Sequence, residues 1–286
     1  SAARRDPASC RGCRLGNTSG VTHRRTATAA HGRATQGFEH FGQQMDSDIC
    51  FGFEPSFPHG FRCMLNFCDR HTHETFLYFL VHQDAHEIRS SLLSLNSAVS
   101  HRLRDGRFGR WVTDNGKGFL SEEVDELARE LAVTRGFQIP HDSDTLPVPE
   151  RHWGVLQRTM RSDLSHADAP RCLWPWAAHQ ANLLLYYLPT RALRPPQSPY
   201  AFSTGDSSPV DISWARTMFC DVTVTIPTRD RAGKLGDRSA DGCHLGYDPR
   251  RGAHFVFVPC LSRISTFTVS EWREESFTVC KGITAD

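Results

Sequence analysis

Short runs of aromatic and β-branched residues begin near residue 46 and are separated by turn residues. Such runs predict β-strands, and three in succession predict an antiparallel meander. The three runs are 46-DSDICFGFEP-55, 61-FRCMLNFCD-69 and 74-ETFLYFLV-81. The first forty residues show no such periodicity and are rich in Gly, Ala, Thr and Arg, so we expect them to form little structure of their own.

After the three strands the pattern changes to the period of a helix. Apolar residues recur on one helical face, and they are Ile88, Leu92, Leu95, Val99 and Leu103. Ser121 fits the N-cap of a second helix. Further helices are predicted from about Pro149 and over 173–188, and short strands at 109-GRWVT-113 and 136-GFQI-139.

Beyond the Pro-rich segment 189–199 the pattern returns to short strands. Four runs between Gly, Asp and Arg turns predict a small antiparallel β-barrel, and they are 217–226, 242–248, 253–259 and 263–269. The element order predicts an α/β core with an appended all-β module. We therefore divide the chain into residues 1–40, a core at 41–200, and a β module with its tail at 201–286.

Composition narrows the class of protein. The 286 residues carry a formal net charge of +1, and no apolar stretch is long enough to cross a bilayer. The nearest, 173-LWPWAAHQANLLLYYL-188, is short and contains polar residues, so we expect a buried or amphipathic helix there. The start of the chain does not resemble a signal peptide. We expect a soluble, intracellular protein without a membrane partner, whose ten cysteines stay reduced.

The basic residues are almost all arginine, because lysine occurs only at Lys117, Lys234 and Lys281. Arginine suits bidentate contacts to phosphate, but a codon bias gives the same composition without any function, and both explanations stay open. Residues 1–40 carry an excess of five positive charges, which suits either a polyanion or a solvated tail.

Three carboxylates at the ends of predicted elements are candidates for metal chemistry. Asp48 lies in the first strand, Asp114 follows the fourth strand within 113-TDNGKGF-119, and Glu150 begins a helix after 35 intervening residues. Phosphodiester chemistry with two metal ions needs about three such groups around hard divalent cations. A plain connecting turn is the competing interpretation of Thr-Asp-Asn-Gly.

This set resembles the D,D-35-E catalytic core of retroviral and retrotransposon integrases, in particular those of Ty1/copia-type retrotransposons. The opening strands are similar over 46-DSDIC-50 and 63-CMLNFCDRHTHETFLYFL-80, and the Glu-Arg helix over 149-PERHWGVLQRTMRSDL-164. Later matches are 174-WPWAAHQANLLLYYLP-189, 198-SPY-200, 218-MFCDVTV-224, Lys234-Leu235 and 244-HLGYDPRRG-252. The resemblance covers most of the chain, from about residue 8 to residue 276.

The resemblance implies an RNase H-like core, a five-stranded mixed sheet flanked by helices, followed by a small barrel-like β module. It also implies a fragment of a Pol polyprotein that joins the 3′ ends of element DNA to target DNA. Asp48, Asp114 and Glu150 would bind Mg²⁺ or Mn²⁺. The resemblance further implies that the protein works as a multimer on paired DNA ends. It implies as well that the protein acts in the nucleus, after a cytoplasmic stage in virus-like particles.

The residues beside the implied site suit contacts with DNA. We expect phosphate contacts, with a solvated helix face as the alternative, at Lys117, Arg151, Arg158 and Arg161. Trp153 is expected in the hydrophobic core rather than as a base-stacking residue.

Cys10 and Cys13 have the spacing of half a zinc site. In integrases of this kind such a pair completes a His-His-Cys-Cys site whose histidines precede the cysteines. Here His23 and His31 follow them. We expect a remnant of a zinc-binding region, with zinc bound only if the full-length protein supplies the upstream histidines.

Three loops depart from the family's pattern. Gly118 stands where the family has Glu, 144-DTLPVP-149 replaces a Gln-Asn-Gly loop, and 50-CFGFEP-55 replaces Cys-Gly-Pro. Two prolines stiffen a loop, and a metal site loosened by about 1 Å is often inactive. Two alternatives to a working integrase follow: a catalytically decayed nucleic-acid-binding remnant, and an RNase H-like nuclease that only hydrolyses DNA.

Overall fold

A computed structural model describes residues 10–17, 37–138 and 147–284. The helices are α1 (Arg11–Asn17), α2 (Ala85–Val99), α3 (Glu122–Glu130), α4 (Pro147–Ala167), α5 (Trp174–Tyr187) and α6 (Pro199–Thr204). The strands of the first sheet are β1 (Gln44–Phe51), β2 (Cys63–Asp69), β3 (Thr75–Leu80), β4 (Arg110–Thr113) and β5 (Thr134–Phe137). Those of the second are β6 (Asp221–Thr225), β7 (Ser239–Asp248), β8 (Ala253–Val258), β9 (Arg263–Phe267) and β10 (Val269–Arg273).

The first five strands form one mixed sheet in the order β3-β2-β1-β4-β5. β1, β2 and β3 pair antiparallel, which confirms the predicted meander. β4 runs parallel to β1, and β5 runs parallel to β4, as connections through α2 and α3 require. Helices cover both faces of this sheet. The chain therefore has the RNase H-like core that was predicted from its sequence.

Each face of the sheet has its own hydrophobic core. On one face Leu65 and Trp111 pack with the apolar residues of α2 and α3. On the other face Met64 packs with those of α4 and α5. Met64 and Leu65 belong to different cores because successive side chains of a strand point to opposite faces. All seven residues of β2 are buried, as expected for an interior strand covered on both sides.

The last five strands form an antiparallel sheet in the order β10-β6-β7-β8-β9. Only Thr268 separates β9 from β10, although these strands lie at opposite edges, so the sheet must curl until its edges approach each other. β10 was not predicted. The sheet packs on the core because Leu245 joins the cluster around α4 and α5, and Gln180 Oε1 accepts the Tyr247 N–H at 3.0 Å.

The amino-terminal segment contains an ordered helix, which the sequence did not predict. α1 packs closely on α4 because Gly12 and Gly16 lie at the contact. A Cβ atom at Gly12 would be 2.5 Å from the Ser162 carbonyl oxygen, and one at Gly16 would be 2.3 Å from Ser162 Oγ. Residues 1–40 were expected to form little structure of their own, and the helix within them is held by its contact with α4. His23 and His31 lie outside the described residues, and the division of the chain into three parts remains a prediction.

Neither a membrane span nor a disulfide is found in the part of the chain that the structure describes. None of its helices is long and apolar enough to cross a bilayer. All ten cysteines are free thiols, and most of them are buried.

The close contact between α1 and α4 yields a first prediction. Gly16→Ala should detach α1, because the new methyl group would overlap Ser162 and overpacking typically costs about 1–3 kcal/mol. Hydrogen exchange of the Arg11–Asn17 amides should accelerate. Gly282→Ala is the matched control, since nothing lies within 4 Å of its new Cβ. Unchanged protection of α1 in Gly16→Ala would refute the contact.

Candidate active site

Asp48 and Asp114 become neighbours through the pairing of β1 with β4. The two strands run parallel with Ser47 opposite Thr113, and the next residue along each chain is one of the two aspartates. Both aspartates are half-buried. The register of this strand pair therefore brings together two carboxylates that are far apart in the sequence.

A tight turn holds the carboxylate of Asp114 at the end of β4. Asp114 Oδ1 accepts the N–H of Gly116 at 3.1 Å, and Asn115 Nδ2 donates to the Gln138 carbonyl at 3.1 Å. A Cβ at Gly116 would be 3.0 Å from Asp114 Oδ1, so glycine leaves room for the carboxylate. Thr-Asp-Asn-Gly is thus a connecting turn that also positions an acid, and the two interpretations from sequence coincide.

Glu150 lies in the exposed first turn of α4. Its charge acts on Asp48. Burial is the largest cause that raises the pKa of Asp48, and the charges of Asp114 and, more weakly, Glu150 raise it further, to about 6. The charges of two carboxylates outside β1 therefore act on Asp48.

Trp153 lies directly against the candidate site. It is buried, as expected, and its Nε1–H donates to Asp48 Oδ2 at 2.9 Å. The Ile49 N–H donates to Asp48 Oδ1 at 2.8 Å, and these two hydrogen bonds lower the pKa of Asp48 against the effect of burial. Sequence reasoning missed this role of Trp153. The available signal was an indole donor one helical turn after Glu150.

A second acidic residue on the same face of β1 has a structural role instead. Asp46 is fully buried, and burial raises its pKa to about 6 even though Arg70 and Gln44 bind it. Its carboxylate accepts from Arg70 Nη1 at 3.0 Å and from Gln44 Nε2 at 2.8 Å. Asp48, among the described residues, accepts only neutral donors. Asp48 is therefore the acid of β1 that is open to a cation.

The donor set of the candidate site suits a hard divalent cation. Asp48, Asp114 and Glu150 offer only carboxylate oxygens, the ligands that Mg²⁺ and Mn²⁺ prefer, and a cation would relieve the repulsion that raises the pKa of Asp48. Within the described ranges, however, no three Asp, Glu, His or Cys side chains are close enough together to hold an ion. Binding would require the three carboxylates to move closer together.

The predicted phosphate contacts are all exposed, and they are Lys117, Arg151, Arg158 and Arg161. Two of them line different clefts. Arg151 lines a cleft of about 120 Å³ with His73. Arg161 lines a different cleft beside Phe51, and its Nε–H donates to the Gly16 carbonyl at 3.4 Å. Part of the positive charge on α4 therefore serves the contact with α1.

The structure explains one of the three departures from the family's pattern. A Cβ at Gly118 would lie 2.8 Å from the Gln83 carbonyl oxygen and 2.7 Å from Ile88 Cδ1. The glutamate that the family has here therefore does not fit this chain unless the start of α2 moves. Residues 144–146 lie outside the described residues, whereas Pro147 and Pro149 belong to the first turn of α4, so the prediction that these two prolines stiffen a loop is wrong.

The half zinc site faces α4. Cys10 Sγ lies 3.9 Å from Nδ1 of His166, which comes after the cysteines in the sequence. Burial and the neighbouring Cys10 raise the pKa of the Cys13 thiol. Of the described residues, no group that contains this pair is arranged to hold a metal ion.

Comparison with curated proteins supports the resemblance found in the motifs. No family model matches the chain. The chain is 26% identical over 204 residues to the retrovirus-related Pol polyprotein from transposon RE1 of Arabidopsis thaliana, covering 71% of the chain and 13% of that protein. It is 24% identical over 217 residues to the one from transposon RE2, covering 76% and 14%. The chain is similar to part of copia-type retrotransposon Pol polyproteins. It spans only about a seventh of their length.

Solved structures with a similar backbone include a viral intasome and a viral integrase core. The chain superposes on a chain of a simian T-cell lymphotropic virus intasome, solved in complex with PP2A regulatory subunit B56 gamma, with 17% identity, coverage of 93% and 87%, and a TM-score of 0.49. The HTLV-2 integrase catalytic core domain, solved with magnesium, gives 16% identity, coverage of 57% and 96%, and a TM-score of 0.44. The RNase H-like assignment rests on the strand order of the chain itself.

The hydrogen bond between Trp153 and Asp48 leads to a pH-dependent prediction. The folded pKa of Asp48, about 6, exceeds its ordinary value of 3.8, so its ionisation opposes folding increasingly from about pH 4 to pH 6 and fully above that. The indole N–H of Trp153 offsets part of this loss of stability, because it stabilises the ionised carboxylate of Asp48. Trp153→Phe should therefore lower the free energy of unfolding more at pH 7.5 than at pH 4, by roughly 1 kcal/mol. Denaturant titrations at both pH values measure it.

Trp176→Phe is the matched control for this measurement. Trp176 Nε1–H donates to the Phe57 carbonyl at 3.2 Å, and a carbonyl does not titrate. The loss of stability in Trp176→Phe should therefore be the same at both pH values. An equal pH dependence in the two variants would show that Trp153 does not act on Asp48.

Proposed function

We propose that this chain is the integrase of a copia-type retrotransposon, a metal-dependent polynucleotidyl transferase that joins 3′ ends of element DNA to target DNA. The observation that supports the proposal is the pairing of β1 with β4, which places Asp48 beside Asp114, together with the charges of Asp114 and Glu150, which both raise the pKa of Asp48. The proposal includes assembly of several copies on paired DNA ends. It also includes action in the nucleus after a particle-associated stage.

Each acid would have a distinct part in binding Mg²⁺ or Mn²⁺. Asp48 and Asp114 project from the sheet, where strand pairing and the Gly116 N–H fix their positions. Glu150 belongs to a helix and can move towards them with the first turn of α4. Bound cations of this kind lower the pKa of an attacking hydroxyl and stabilise charge on the leaving oxygen. The chain therefore needs no histidine as a general base.

Trp153 and the backbone around Asp48 would keep one carboxylate in place. The indole N–H fixes Asp48 Oδ2 and the Ile49 N–H fixes Oδ1, while each oxygen keeps a second lone pair for a ligand. Such hydrogen bonds from outside the ligand set orient the ligand and adjust its basicity. A rigid aspartate pair and an adjustable glutamate are consistent with an ion that binds together with DNA.

Nucleic-acid binding without DNA joining is the second candidate function. Two observations favour nucleic-acid binding alone. At Gly118 there is no room for the side chain that the family has, and among the described residues no three metal ligands lie around one point. A nuclease that only hydrolyses DNA is the third candidate. The three differ in their products, so a single assay separates them.

DNA joining can be tested with a labelled donor duplex, a target duplex and Mn²⁺. Glu150→Gln should reduce joined products by about 100-fold or more, because an amide cannot replace the charge of a metal-binding carboxylate. Glu122→Gln is a matched control, since Glu122 is likewise exposed in the first turn of a helix, α3. Its products should be unchanged.

The products identify which candidate is correct. Joined strands that disappear only in Glu150→Gln support the integrase. Shortened donor strands without joining indicate a nuclease. DNA that is bound but chemically unchanged, equally in both variants, indicates a binding remnant and excludes the catalytic proposal.

Phosphate contact on α4 can be tested by the salt dependence of DNA binding. Arg158→Gln should weaken binding to all sequences alike and reduce the slope of log K against log[salt] by about 1, because one phosphate contact is lost. Arg229→Gln is the control, as Arg229 is exposed on the β module. Equal slopes for Arg158→Gln and the unmodified chain would make the exposed face of α4 a merely solvated surface.

A further inference from the structure

The β module contains an aromatic pocket that has no part in the candidate active site. The pocket has a volume of about 380 Å³, within the range of roughly 300–1,000 Å³ that small-ligand pockets occupy. The buried Phe267 lines it together with four rings from separate parts of the chain, and these four are Trp214, Tyr247, His254 and Trp272. All four are half-buried, so part of each ring remains accessible.

The rings are arranged as two walls with an imidazole between them. Trp214 and Tyr247 stack with their centroids 4.9 Å apart and 13° between the ring planes. His254 lies 5.2 Å from Tyr247 and 4.8 Å from Trp272, measured between centroids. Each wall packs against a neighbouring ring, which restricts its motion before binding. Less side-chain entropy is therefore lost when a flat ligand stacks on the wall.

Hydrogen bonds fix the orientation of the imidazole. Nδ1 of His244 lies 3.0 Å from the Thr217 carbonyl, and because a carbonyl can only accept, this nitrogen carries the proton. Burial lowers the pKa of His244 to about 4, so its ring is neutral and Nε2 accepts. Nδ1 of His254, 3.1 Å away, must then donate. Burial also lowers the pKa of His254, which leaves its Nε2 as an acceptor on a ring that lines the pocket.

Two arginines lie beside the pocket, and each is paired with an acid. Arg216 pairs with Glu274 at 3.2 Å, and Arg251 pairs with Asp248 at 3.7 Å. The Arg216 guanidinium also lies 5.3 Å from the centroid of Trp272 and covers that ring, so any ligand that stacks on this face must displace it. A nucleotide can do so, because its base replaces the guanidinium on the aromatic face and its phosphate offers the displaced arginine a new anionic partner.

We propose that this pocket binds an unpaired nucleobase of single-stranded nucleic acid, stacked between the Trp214–Tyr247 wall and Trp272, with Arg216 and Arg251 beside its phosphates. The acceptor at His254 suits the amino groups of adenine, cytosine or guanine. A base within a duplex is excluded, since its faces and its pairing edge are already occupied. The proposal stands independently of DNA joining, because none of these residues belongs to the carboxylate site.

Photocrosslinking tests the pocket without altering the protein. The full chain is irradiated with a single-stranded DNA 12-mer that carries one 5-iodouracil, and the crosslinked peptides are identified by mass spectrometry. Crosslinks should fall on Trp214, Tyr247 or Trp272 and disappear when the same oligonucleotide is annealed to its complement. Crosslinks that lie only outside the pocket, or that are equally strong with the duplex, would overturn the proposal.

Substitutions at one wall provide a quantitative second test. In fluorescence anisotropy with the same 12-mer, Trp272→Ala should weaken binding roughly 5- to 150-fold, the range measured for loss of one stacked base. Trp272→Phe keeps a stacking ring and should restore most of the affinity. Leu235→Ala, at a fully exposed residue of the same module, should leave it unchanged. Equal weakening in all three variants, or none in Trp272→Ala, would contradict base stacking.

Two further measurements cover the remaining ambiguities. Tyr247→Ala removes the opposite wall and should also weaken binding, so the conclusion does not depend on how well Trp272→Ala folds. A ribose 12-mer of the same base sequence distinguishes the source of the strand. Equal affinity assigns the pocket to single strands of either sugar, and a preference for deoxyribose assigns it to DNA.

Discussion

The parallel pairing of β1 with β4 is the constraint on which the candidate active site depends. The register places Ser47 opposite Thr113, and so places Asp48 beside Asp114. Since side chains alternate between the two faces of a strand, a slip of one residue would turn one carboxylate away from the other. Parallel strands also require a crossover, and α2 provides it on the far face. The mixed sheet is therefore a precondition of the site.

The carboxylate site differs from the other acid of β1 in the charges that surround it. Asp46 is more deeply buried than Asp48, yet Arg70 pairs with it and the charge is compensated. Asp48 is held only by the neutral donors of Trp153 and Ile49 while two further acids approach it. Uncompensated like charges that persist in a folded protein are a common mark of a binding or catalytic site, because a ligand can supply the missing charge.

Helix α4 connects the separate parts of the molecule. Its first turn carries Glu150, and Trp153 one turn later reaches Asp48. Its carboxyl-terminal half receives α1 at Ser162, where two glycines allow close approach. Its apolar face shares one hydrophobic cluster with α5 and with Leu245 of the β module. The candidate site is thus supported by a helix that the amino-terminal segment, the core and the β module all contact.

The sequence by itself determined the helices and strands whose apolar residues recur with a clear period over a short stretch of chain. The meander, the faces of α2 and α4, and the N-cap at Ser121 all follow from apolar spacing and short-range hydrogen bonding, and the motifs around Asp48, Asp114 and Glu150 indicated the family. Only the tertiary structure decided the rest. α1 lacks an apolar stripe and is held by a glycine contact with a distant helix, and β10 is short and pairs with β6 across the chain. The distinct roles of Asp46, Asp48 and Trp153 likewise depend on which partner lies opposite each side chain. Such contacts join residues that are remote in the sequence, and no local pattern encodes them.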